Sequence, residues 1–62
     1  MKDHEQAYQK LAEEVRKACL EAAKDGFREA SMSGLCTEGA IEAAVGSIQS
    51  VDLKRVISQF SI

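Results

Sequence analysis

The sequence predicts an all-α protein in which a long N-terminal helix and two shorter helices form an antiparallel hairpin, assembled with a second copy into a dimeric bundle. Three observations point there. Apolar residues recur at three- and four-residue spacing from Tyr8 to Ala30. The phase of that pattern resets at 33–36 and again at 50–52, which divides the chain into three helical segments. Proline is absent from all 62 residues, so nothing forces a break elsewhere.

Helix 1 is expected over residues 3–32. Asp3 is placed to cap its start, and Leu11, Val15, Ala18, Cys19, Ala22 and Ala30 carry its apolar stripe. The Asp25-Gly26 pair resembles a stop signal, yet Phe27 and Ala30 keep the phase beyond it, so the helix reads through at a cost of about 1 kcal/mol. Ser33-Gly34 then supplies the left-handed residue that closes a helix.

Helix 2 is expected over 38–49, with Thr37 as its cap and Glu38 in the first turn, where negative charge suits the helix dipole. Ile41, Ala44, Val45 and Ile48 form its expected core stripe. Continuing that phase would bury Asp52, Arg55 and Gln59, whereas Leu53, Val56, Ile57 and Phe60 form a stripe of their own. Helix 3 is therefore expected over 52–60, capped by Ser50 or Asp52.

A chain this short makes a single domain, residues 1–62, and buries little apolar surface without a disulfide, a metal or a partner. The two cysteines, Cys19 and Cys36, form no CxxC motif, and His4 is the one histidine, so no metal site is expected. The polar start MKDHEQ and the lack of a long apolar run suggest a cytoplasmic protein with reduced thiols. Self-association remains. A net charge of −2 with interspersed signs argues against a phosphate-binding surface.

Proportion supports a partner. Helix 1 would be more than about 40 Å long, whereas a compact chain of this size has a radius of gyration near 11 Å. Around helix 2, Gly39, Ala43, Gly46 and Ser50 form a strip of small residues opposite Ile41, Val45 and Ile48. Leu20 and Phe27 widen the apolar arc of helix 1. The expected interface of a twofold homodimer therefore comprises Gly39, Ala43, Gly46, Ser50, Leu20 and Phe27.

Two sets of residues offer chemistry. Cys36 precedes helix 2, where the positive dipole end favours a thiolate, and Glu38 is near enough to exchange a proton. His4 lies at the far end of the expected hairpin, so no Cys-His pair forms within a protomer, and Cys36 reads better as a small apolar plug of the turn beside Leu35. Cys19 reads as a packing residue. Helix 2 and helix 3 also outline a helix-turn-helix opening with Lys54 and Arg55, but the turn lacks glycine and the charge balance opposes DNA. No Gly-rich loop follows a strand, so no cofactor is expected.

Residues 18–53, ACLEAAKDGFREASMSGLCTEGAIEAAVGSIQSVDL, resemble a group of short bacterial all-helical proteins of unknown function with a GLCxEGAxEA core and a following SxDL turn. The matching positions are Gly34, Leu35, Cys36, Glu38, Gly39, Ala40, Glu42, Ala43 and Asp52. Some of the group carry an acetyltransferase label, an activity that usually relies on a mixed α/β fold for which this chain has no room. The leading expectation is a non-enzymatic homodimeric accessory or interaction module. A thiol-dependent enzyme or redox sensor using Cys36 is the alternative, and a weak nucleic-acid binder the third.

Overall fold

The computed structural model describes residues 2–60, with side chains from 5 to 60. These residues form three helices: α1 (Lys2–Met32), α2 (Thr37–Gln49) and α3 (Leu53–Gln59). The all-helical expectation holds.

α1 runs 31 residues without interruption at Gly26. It begins at Lys2, so Asp3 falls inside its first turn instead of capping it, and the side chains of Asp3 and His4 lie outside the described residues. Its end is a Schellman closure. Gly34 takes φ +90°, the Leu35 N–H donates to Ala30 O at 3.0 Å, and the Gly34 N–H donates to Ser31 O at 3.1 Å. A side chain at that φ would crowd the backbone, which is why glycine stands there.

α2 starts one residue earlier than expected. Cys36, in extended backbone, occupies the cap position, and its side chain makes no capping hydrogen bond, so Thr37 lies in the first turn and is not the cap. The Cys36 carbonyl still accepts the first intrahelical bond from Ala40 N–H at 2.8 Å. At the other end, the backbone N–H and the hydroxyl of Ser50 both donate to Gly46 O, at 3.0 and 2.9 Å. α3 opens with Asp52, whose carboxylate accepts from Arg55 N–H at 3.1 Å.

α2 and α3 each lie against α1 and make no close backbone approach to one another. The result is long and thin. The radius of gyration is 14.6 Å and the principal extents are 49 × 17 × 13 Å, well outside the ~11 Å of a compact chain of equal length.

The seam between α1 and α2 corrects the expected core. Ala30, 8% exposed, and Ala40, fully enclosed, are the buried residues among those described. Ile41, Val45 and Ile48, expected to face α1, are instead 51%, 49% and 40% exposed. Gly26 explains the inversion. A Cβ built there would overlap Ser47 Oγ and stand 2.9 Å from Ser47 Cβ and 3.0 Å from the Ala43 carbonyl oxygen. The two backbones approach too closely to admit a branched side chain, so the small residues Ala40, Ala43 and Ser47 turn toward α1.

Candidate interaction surface

With the small residues of α2 spent on the intramolecular seam, its large ones are left outside. At about 100° per residue, Ile41, Ala44, Val45 and Ile48 span the ~100° next to the seam-facing arc. On α1, Leu20, Ala23 and Phe27 fall within ~60° of one another, beside the seam on the same side of the molecule. An open, mainly apolar groove runs between these two sets, lined by Ala23, Phe27, Ser31, Met32 and Ala44, with Lys24 and Arg28 along its α1 edge. Leu20, Phe27, Ile41 and Ile48 are all exposed.

The expected interface is thus half reassigned. Leu20 and Phe27 are exposed. Ala43 packs at the seam against Gly26, and Gly39 lies under the Leu35 side chain, whose Cδ2 would be 3.1 Å from an added Cβ. Gly46 has open space at its Cβ position, and Ser50 is exposed at the end of α2. The strip of small residues does not form one continuous outward surface. The bulky stripe does.

Charged side chains flank the α1 side of the groove. Lys24 and Arg28 stand along the α1 edge, and Arg28 makes an exposed 3.8 Å ion pair with Asp25. Glu38 and Glu42, both exposed, follow Val45 around the far side of α2. A second, more polar cleft lies where α3 meets α1, between Glu14, Lys17 and Glu21 on one side and Val56, Gln59 and Phe60 on the other. Val56 and Phe60 are half-buried there, while Leu53 and Ile57 of the same expected stripe stay exposed.

The accessible surface is 5231 Å². A compact monomer of 6.7 kDa would expose about 3,900 Å², so this chain shows roughly 1,300 Å² more than its mass requires. That excess follows from the elongated shape, 49 Å in its longest extent.

The chemical candidates separate. Cys36 is exposed at the tip between α1 and α2, which corrects its expected role as an apolar plug; Leu35 folds over Gly39 without covering it. Glu38 follows two residues later in the first turn of α2. Cys19 is half-buried on α1 as a packing residue. Among the described residues no three His, Cys, Asp or Glu side chains cluster closely enough to hold a metal ion. A helix-turn-helix packs its two helices closely together, and the backbones of α2 and α3 make no close approach. No helix among the described residues is long and apolar enough to cross a membrane.

No family model, no curated protein and no solved structure matches this chain.

Proposed function

We propose that this chain is a homodimeric interaction module: α1 and α2 form an antiparallel hairpin, and two hairpins pair through the open apolar face to make a helical bundle. One observation carries the reading. The chain encloses only small side chains among its described residues, while Leu20, Phe27, Ile41 and Ile48 are exposed, and helical spacing turns them toward the same side. Contiguous apolar surface of this kind marks a site of association. The module acts by binding, as an accessory protein of the bacterial cytosol, a setting suggested by the likeness of residues 18–53 to short bacterial helical proteins.

Sedimentation equilibrium tests it. The expected mass is twice 6.7 kDa, falling to 6.7 kDa for Ile48→Glu, with helix content retained because Ile48 is 40% exposed and outside the enclosed pair Ala30 and Ala40. A wild-type chain that sediments as a monomer throughout the micromolar range ends the reading.

A thiol-dependent activity of Cys36 is the second reading, favoured by the exposure of its side chain at the start of α2. Alkylation of Cys36 that leaves every binding property of the protein unchanged removes it.

A further inference from the structure

The groove beside the α1–α2 seam has a chemistry of its own. We infer that it binds a medium-chain carboxylate, one molecule per chain, with the hydrocarbon along Phe27, Ala44 and Met32 and the carboxylate beside Lys24.

The lining comes from residues 23–32 of α1, with Ala44 the contribution of α2. Over that span α1 rises about 13 Å, so the groove is a track along one helix. Its volume of about 730 Å³ lies within the ~300–1,000 Å³ range of small-molecule sites. Ala23 and Ala44 are small and leave room beside the seam, and Phe27 supplies aromatic surface. Met32, 81% exposed, ends the track with an unbranched side chain that can fold over an apolar occupant. Hydrocarbon laid there would cover apolar surface that now faces water.

Polar groups are few and of one sign. Lys24 and Arg28 are the charged residues of the lining, Ser31 adds a hydroxyl, and no carboxylate is among the described residues that line it. Two acids stand on the same side of α1 without entering the groove. Asp25 forms the 3.8 Å pair with Arg28, and Glu21 lines the cleft beneath α3 together with Lys17. Lys24 makes no ion pair among the described residues. The lining thus holds one cation balanced by a neighbour and one that is not. That suits a single negative charge, which a carboxylate carries, better than a phosphate monoester, whose charge at neutral pH is close to −2.

The shape favours an acyl chain over a docked helix. A helix is about 10 Å across with its side chains and lays its apolar face into a groove with two walls, whereas α2 offers Ala44 alone here. A slender chain needs only the one wall that α1 provides. The net charge of −2 opposes anions in general, so capture of one has to come from the charges at this groove. The site does not depend on two copies meeting. Phe27 serves both, so the carboxylate and a second copy compete for it, and Ile48→Glu, outside the groove, is expected to bind the ligand at least as tightly as wild type.

Titration calorimetry with dodecanoate, kept below the concentration at which it forms micelles, tests the site. Saturable binding of one molecule per chain is expected. Lys24→Glu should weaken it about fivefold or more, with helix content retained, and should improve binding of dodecyltrimethylammonium, whose head group carries the opposite charge. Lys10→Glu makes the same change in net charge on exposed surface about 20 Å further along α1, and should leave dodecanoate affinity unaltered. A second measurement needs no substitution: amide NMR shifts on adding dodecanoate should centre on residues 23–32 and Ala44. Uptake of many molecules per chain without saturation, an equal effect of Lys10→Glu, or shifts centred on α3 would each overturn the assignment. So would an acidic amphipathic peptide that binds at residues 23–32 while dodecanoate does not.

Discussion

Gly26 and Ser47 share one space: the hydroxyl of Ser47 occupies the position that a side chain at Gly26 would take. That hydroxyl donates to Ala43 O at 2.9 Å and lies flat along α2, which is how the helix presents so little bulk toward α1. Gly26→Ala would ordinarily favour a helix by about 1 kcal/mol. Here overpacking outweighs the gain, and a net loss of about 1–2 kcal/mol is expected in urea denaturation. Adding Ser47→Gly should recover much of it, because the Oγ and Cβ contacts disappear together and only the Ala43 carbonyl remains close.

Gly46 provides the opposite case on the same helix. Nothing lies within 4 Å of its added Cβ and its φ is not left-handed. Gly46→Ala should therefore raise stability by up to about 1 kcal/mol, read as an increase in the urea midpoint with an unchanged slope. A loss would mean that another backbone comes close on that side.

At the turn, Gly34 has open space around it but a φ of +90°. Gly34→Ala is expected to cost about 1–2 kcal/mol from backbone strain alone. Repacking its neighbours should not rescue it, since no neighbour is involved.

Asp52→Ala removes the acceptor for Arg55 N–H. The loss should be about 1 kcal/mol and local, seen as faster hydrogen exchange at Arg55 and Val56 while amides of the α1–α2 seam keep their protection. Equal acceleration in both regions would show that α3 and the seam melt as one unit.

Thiol reagents should distinguish the two cysteines. Cys36 is exposed at the tip and Cys19 half-buried on α1, so Cys36 should be modified first and without loss of helix signal in circular dichroism. Modification of Cys19 should follow only as the protein opens.

The elements were legible because their signals are local. The positive φ of Gly34, the cap at Asp52 and the phase reset between Ile48 and Leu53 are written within a few residues of where they act, and the helix bounds follow them closely. The shift of the α2 cap from Thr37 to Cys36 is a one-residue error of the kind that helix ends invite. The facing of α2 was not legible in the same way. Sorting its residues by hydrophobicity sends Ile41, Val45 and Ile48 inward, but the distance between two helix axes depends on what each places at the crossing, and α1 places Gly26 there. The clue existed as a pairing of distant positions: a mid-helix glycine in α1, Gly26, and the Ala43–Ser47 step in α2. Hydrophobic patterning weighs each residue singly and passes over such a pair.

A seam of alanine, glycine and serine hides little hydrocarbon from water, and this sets the thermal character of the chain. Unfolding an isolated protomer should release only a small heat-capacity increment, giving a broad melt and a stability curve of low curvature. A sharp, concentration-dependent melt would therefore report the hydrocarbon enclosed between copies, because the protomer has too little of its own to produce one.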